Sequence, residues 1–533
     1  MTEDSTEAGL ADQQWFSRPS VLDSELLDPS RRRANLLPEN EDEPGPVVVE
    51  LNVLHDLGLT GAESRLRAML AAVLRTQARR PSALRISEGY WRCHLSVREI
   101  RRLASLDREA SRGRRAIQYI WTDYLVTRFV DQSSRTVKAE AARRLFNADG
   151  RDIVWAVIDS GIAGSHPHFR TYETLEGEVR DLHQDFTLAA GDRGSGNPLN
   201  DPLGHGSHVA GIIAGGLSSD HNVQEIRIAE HVGLAAELSS DEGPFDLSRL
   251  QEHDPLLTST RSLEELEERT IDNPNQLSGM ARRCKLVSLR VLNENGTGRS
   301  SDVIRAMRYI REELNSDSGA IRIHGANLSL GYDFNAKAFA CGQTPICVEV
   351  DRLVRSGVVV VAAAGNTGYG TVTVMGRMRE AAFLSTINDP GNAALAITVG
   401  STHREAPHRY GVSYFSSKGP TSDGRLKPDL LAPGERITSC AAGRKLTQAK
   451  LLFDAEIAPS SHEVAYYVDD SGTSMAAPHV SGAIAAFLSI RREFLNRPEE
   501  IKRIFLDSAT SLGRERYFEG CGLVDLLRAI QRV

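Results

Sequence analysis

Val47-Val48-Val49-Glu50-Leu51-Asn52-Val53 is apolar enough for a strand, and the pattern then changes period. Across residues 61–79, Leu66, Met69, Leu70, Val73 and Leu74 recur at helical spacing and predict an amphipathic helix. Ser82–Ser87 and Tyr90–Leu95 read as two hairpin strands joined by Glu88-Gly89. Ser96, with Glu99 three positions later, has the signature of a capping box ahead of a second helix that carries Ile100, Leu103 and Leu106. Ala116–Trp121 supplies one more strand. Strand, helix, two strands, helix, strand is the order of a ferredoxin-like α+β domain, expected over residues 47–126.

Further along, short apolar runs alternate with helical patterns. Ile153–Ile158, Ala326–Leu330, Val358–Ala364 and Ala396–Gly400 read as strands buried on both faces, while Val303–Leu314, Val348–Ser356 and Ala476–Phe487 read as helices. This alternation predicts an α/β fold, a mostly parallel sheet with helices on both faces, over residues 137–533. Pro478 falls in the early part of its helix, where a missing amide hydrogen is tolerated.

Composition narrows the picture. The 533 residues are 41% hydrophobic and 25% charged, enough for more than one core. A net charge of -8 supplies no general attraction to nucleic acid or anionic membranes. Residues 1–46 are rich in Glu, Asp, Pro, Ser and Arg, predicting a flexible acidic leader without an apolar signal region. No run approaches 18 apolar residues, so no membrane span is expected. Cys93, Cys284, Cys341, Cys347, Cys440 and Cys521 are too sparse for a disulfide scaffold and lack zinc spacing, so reduced thiols in a cytoplasmic protein are expected. Cys341 and Cys347 are close enough in sequence to pair if the chain were exported. Residues 217–278 hold 14 acidic residues against 4 arginines and no lysine, a local charge of -10 that reads as a solvated insertion, with a short helix over Leu263–Leu266.

Candidate chemistry lies in three glycine-rich blocks: Asp159-Ser160-Gly161, Gly204-His205-Gly206-Ser207-His208, and Gly472-Thr473-Ser474-Met475-Ala476-Ala477-Pro478. A serine hydroxyl is scarcely ionised at neutral pH and becomes a useful nucleophile only beside a base. Histidine is such a base, and a buried carboxylate fixes its tautomer. Asp159 ends an apolar strand, a place where functional acids commonly sit. His208 and His479 read as packing residues, and the sidedness of Asp201 is not legible from spacing.

These blocks, in the order Asp, His, Ser, resemble those of the subtilisin-like serine peptidases, the subtilase superfamily, and the resemblance extends over about residues 137–529. It implies a catalytic triad of Asp159, His205 and Ser474, with Ser207 standing where the family usually has threonine. Asn366, after the apolar run Val358–Ala364, is implied as the oxyanion-hole side chain, joined by the backbone N–H of Ser474. Loss of such a donor costs roughly 3 to 4 kcal/mol, a magnitude known for subtilisins themselves and carried over with the resemblance. Ser329-Leu330-Gly331 and Gly296-Thr297-Gly298 resemble the two segments that pair with an extended polypeptide substrate, and Ala363-Ala364-Gly365 the wall of its first specificity pocket.

The function implied is an intracellular serine endopeptidase that works through an acyl-enzyme. The competing reading is a catalytically silent, protein-binding relative. The domain at 47–126 resembles the inhibitory, folding-assisting propeptide of a zymogen, with residues 127–136 as linker and candidate processing region; a permanent regulatory domain is the alternative. The chemistry itself requires no cofactor or metal. Asp185 lies where family members often place a calcium-binding carboxylate, but no recognisable ligand spacing completes a site, and structural calcium stays unassigned.

Overall fold

The structure, a computed structural model, describes residues 21–22, 26–27, 32, 38, 40–74, 83–87, 89–122, 132–187, 196–217, 225–231, 266–269, 271, 277–316, 321–334, 340–374, 377–453 and 464–533. Most of the expected leader, Glu88, residues 127–131 of the expected processing region, and most of the acidic insertion lie outside them. The chain divides into two compact units, 1–128 and 129–533.

In the first unit, strands β1 (Gly45–Leu51), β2 (Ala83–Ser87), β3 (Tyr90–Leu95) and β4 (Ile117–Thr122) form a sheet in the order β2-β3-β1-β4, every pairing antiparallel. Alternate residues of β1 face inward, so Val47, Val49 and Leu51 are buried. The helix Gly58–Leu74 begins three residues before the predicted start and buries Leu66, Met69, Leu70, Val73 and Leu74. The second helix, Val97–Arg108, has its capping box: Glu99 N donates to Ser96 Oγ (3.3 Å) and Ser96 N to Glu99 Oε2 (2.7 Å). Asp107 receives the N–H groups of Ala116 and Ile117 at 2.8 and 3.1 Å, fixing the entry into β4.

The second unit is built on seven parallel strands: β5 (Val154–Asp159), β6 (Gln184–Asp185), β9 (Lys285–Arg290), β10 (Gly325–Leu328), β11 (Val359–Ala363), β14 (Ile397–His403) and β15 (Leu430–Glu435). Their spatial order is β15-β14-β11-β10-β5-β9-β6. Side chains of β5 alternate between two separate cores. Trp155 and Val157 meet the helices His205–Ile213 and Thr473–Ile490, while Val154, Ala156 and Ile158 meet the helices Ser300–Tyr309 and Pro345–Arg355. A strand that serves two cores has no polar face, which explains its uninterrupted apolar sequence. The helix Thr473–Ile490 is long and apolar enough to cross a bilayer, yet 83% of it is buried inside the unit.

The acidic insertion departs from the expected solvated loop. Its described residues include β7 (Glu225–His231) and β8 (Leu266–Arg269), which join β16 (Ile437–Cys440) and β17 (Val464–Asp470) in a second sheet ordered β16-β17-β7-β8. Leu266 therefore opens a strand rather than closing a helix; Leu263 lies outside the described residues. Ile228 and Ala229 are buried, and Glu230 accepts from Arg404 and Thr438 and pairs with Arg269, so part of the negative charge is neutralised inside the fold.

Candidate active site

Because the seven strands run parallel, their carboxyl ends share one edge, and the candidate residues gather there. Asp159 is the last residue of β5 and is fully buried. Its Oδ1 accepts from the Ser160 N–H and from His205 Nδ1, both at 2.7 Å. A carboxylate oxygen can only accept here, so Nδ1 carries the hydrogen and Nε2 keeps the lone pair that a general base needs. Burial disfavours the charged ring, but the attraction and hydrogen bond of Asp159 outweigh it and hold the His205 pKa above its ordinary 6.5.

Asp201 sets the position of the histidine helix. It is buried, not a charge bordering the cleft. Oδ1 accepts from Ser160 Oγ and Gly204 N at 2.8 Å, and Oδ2 from both the N–H and the hydroxyl of Ser207 at 2.7 Å. It thus caps amides that the first turn of the helix His205–Ile213 leaves open. Gly206 lies against strand β5's following turn: an added Cβ would meet the Gly161 carbonyl at 2.1 Å.

Ser474 is the second residue of the helix Thr473–Ile490, which contains Pro478. Proline has no N–H to return to the carbonyl four residues back. The Ser329 hydroxyl fills that vacancy, donating to the Ser474 carbonyl at 2.8 Å, while the Ser474 hydroxyl donates to the Ser329 carbonyl at 3.1 Å. Among the described residues, no hydrogen bond joins Ser474 Oγ to His205 in this conformation; the serine proton rests on Ser329 instead.

Asn366 follows β11. Its Oδ1 accepts the Thr473 N–H at 2.9 Å and the Thr473 hydroxyl at 3.0 Å, and that hydroxyl in turn accepts the Gly365 N–H at 3.1 Å. Since the backbone N–H of Thr473 must meet an acceptor, the amide is fixed oxygen-inward and its Nδ2 is the end left for a ligand. An added Cβ on Gly472 would meet Nδ2 at 3.3 Å, so that donor lies beside the nucleophile turn.

Ser329, Leu330 and Gly331 continue directly from β10, while Ala363 ends its parallel neighbour β11 and Ala364 and Gly365 follow it. Residues Asn388 and Asp389 bridge the two: Asn388 N donates to the Ala364 carbonyl (3.0 Å), and Gly331 packs on the Asp389 carbonyl. Gly296, Thr297 and Gly298 form a turn closed on Asn293, with Gly296 against Leu203, two residues before His205. The hairpin β12 (Tyr369–Val374) and β13 (Arg377–Ala382) projects after Asn366; Glu380 binds the Tyr369 hydroxyl at 3.0 Å, and Met375 and Gly376 lie outside the described residues.

His208 and His479 are buried and donate to the carbonyls of Val468 and Met475. Burial drives their pKa values down to about 3 and about 4, which keeps both neutral. Asp185 is engaged within the fold: one oxygen accepts from Thr187 N and Oγ1, and the other pairs with Arg290 at 3.4 Å. All six cysteines are free thiols, Cys341 and Cys347 included. Sequence reasoning did not single out Thr473 or Asn388, nor the hydroxyl of Ser329 as a support. Pro478 was the available signal for the last of these.

The subtilase family model matches residues 150–523, a span that includes every block named above. The chain belongs to the subtilase family. Among curated relatives, pyrolysin of Pyrococcus furiosus is 30% identical over 356 residues, covering 62% of this chain and 21% of pyrolysin. Serine protease AprX of Bacillus subtilis is 30% identical over 43% of this chain and 47% of its own length, and subtilisin E of the same species is 24% identical over 80% of each. The match thus spans less than half of pyrolysin and of AprX, but most of subtilisin E.

Proposed function

We propose that this subtilase is a serine endopeptidase in which Ser474 is the nucleophile, His205 the general base and Asp159 the carboxylate that orients it. The observation that carries the reading is the 2.7 Å bond between His205 Nδ1 and Asp159 Oδ1, which leaves Nε2 basic and held by rigid elements. Attack requires Ser474 to turn about its Cα–Cβ bond, from the Ser329 carbonyl toward His205. His205 then takes the hydroxyl proton as Oγ bonds to the substrate carbonyl carbon. The developing oxyanion is stabilised by Asn366 Nδ2 and the Ser474 N–H. His205 next gives its proton to the leaving amine, and water hydrolyses the acyl-enzyme by the same route in reverse. An extended polypeptide lies between Ser329–Gly331 and Gly296–Gly298, its first non-primed side chain against Ala363–Gly365.

A serine-directed phosphonate tests this: wild type should be labelled at Ser474 and Ser474→Ala not at all. A catalytically silent protein-binding relative is the second reading, favoured by the serine proton's resting place on Ser329 rather than on the imidazole. An unlabelled wild type would establish it.

In our reading the N-terminal domain acts as a propeptide-type inhibitor, supported by its strand-helix-strand-strand-helix-strand order ahead of a subtilase domain. Intact mass should show loss of the first roughly 120 to 136 residues in wild type but not in Ser474→Ala; identical full-length masses would mark a retained regulatory domain. Six free thiols are the support for placing the enzyme in the reducing cytoplasm.

A further inference from the structure

The helix Gly443–Phe453 starts against the loop that leads into the candidate base. Arg444 N donates to the Pro202 carbonyl at 3.0 Å, and Gly204, at φ +88, leaves no room for a Cβ, which would meet the Ala442 carbonyl at 2.1 Å and Lys445 Cβ at 3.2 Å. Strand β17 ends at Asp470, four residues before Ser474. Asp470 Oδ1 accepts the Ser471 N–H at 2.7 Å, and Oδ2 forms an ion pair with Lys445 Nζ. The turn between them is held independently, Ser471 Oγ accepting Arg436 N at 2.9 Å and Gly472 N reaching the Gly434 carbonyl at 2.8 Å.

We propose that Lys445 and Asp470 are a positioning pair for the catalytic base, tying the loop before His205 to the turn before Ser474 while keeping the charge beside the imidazole balanced. This inference rests on the peptidase reading. The ionised groups acting on His205 come from three elements: Asp159 from β5, Asp470 from β17 and Lys445 from the helix Gly443–Phe453. His208, on the base's own helix, stays neutral. A carboxylate alone at Asp470 would favour the imidazolium and disarm the base, whereas a lone ammonium would oppose the imidazolium that forms during attack. Paired, they bind the two loops together and leave Asp159 as the dominant charge. Their side chains are about one-fifth exposed, so the pair is shielded but not sealed from solvent. Burial works against the Asp470 charge, yet Lys445 holds that carboxyl well below the usual carboxylate range, so the pair stays ionised wherever His205 titrates.

The test is the pH dependence of Ser474 phosphonylation, which needs no knowledge of the natural substrate. Rates are compared for wild type, Lys445→Met, Asp470→Asn and the double variant, with melting curves to confirm folding. The acid limb should move to higher pH in Lys445→Met, to lower pH in Asp470→Asn, and back near wild type in the double variant. At a fixed pH on that limb, each single variant should differ from wild type about threefold or more, the equivalent of half a pH unit. Lys445→Arg, which keeps the charge, should preserve the wild-type limb even where Lys445→Met folds poorly. Coincident limbs, or shifts in one direction for both single variants, would overturn the inference. A wild type that is never labelled would overturn the peptidase reading instead.

Discussion

Thr473 contributes more to the candidate site than its place beside Ser474 announces. Its N–H and hydroxyl turn the Asn366 amide so that Nδ2 is available to an oxyanion. Thr473→Val keeps the first contact and loses the second, along with the acceptor of the Gly365 N–H; with the bond to Asn366 alone worth about 1 kcal/mol, kcat should fall at least about fivefold with KM little changed. Steady-state kinetics on a peptide substrate checks this. Because the base must be neutral to act and its folded pKa lies above 6.5, activity should be lost as pH falls through a midpoint above that value. A pH–rate profile with its acid limb below 6.5 would contradict the assigned Asp159 pairing. Asp159 was legible as an acid ending an apolar strand, and His205 and Ser474 as a base and a nucleophile in glycine-rich blocks, whereas Asn366 was singled out only through the resemblance to subtilases. Asp201 was not legible, since its four donors come from Ser160, Gly204 and Ser207, contacts that only folding creates.

At the level of elements, the apolar strands of the parallel sheet declared themselves, because side chains buried on both faces leave no polar positions to confuse the pattern. The acidic insertion misled for the opposite reason: its strand β7 alternates Ile226, Ile228 and charged residues, and composition weighed the charges as solvated. Glu230 is instead an anchor, about 13% exposed, between Arg404 and Arg269. Glu230→Gln should destabilise the second unit by roughly 2 to 4 kcal/mol, because Arg269 loses the carboxylate paired with it and Arg404 keeps only the more exposed Glu405. Denaturant unfolding would show it, and an unchanged midpoint would mean that the second sheet is not fastened through this residue. The helix Gly443–Phe453 was likewise missed; Leu446 and Ala449 supply a short apolar face that the surrounding polar residues obscure.

For the molecule as a whole, the response to acid draws on four of the described histidines whose pKa values burial lowers furthest. His166 and His479 have pKa values lowered to about 4, and His168 and His208 to about 3, in each case chiefly by burial. Unfolded, each would take up a proton near pH 6.5. Stability is therefore complete above that pH and declines toward pH 4, by about 1.4 kcal/mol per pH unit for each histidine once the unfolded state is protonated. Urea midpoints measured between pH 7 and 4.5 should fall steeply; a flat profile would contradict neutral burial. Histidine composition was visible from the sequence, but the enclosure that keeps these rings uncharged belongs to the packed fold. The serine's resting bond also governs how the idle enzyme treats bystanders. Its proton is latched to the Ser329 carbonyl, so any reagent that meets Ser474, peptide or phosphonate, must first draw that hydroxyl off its catch.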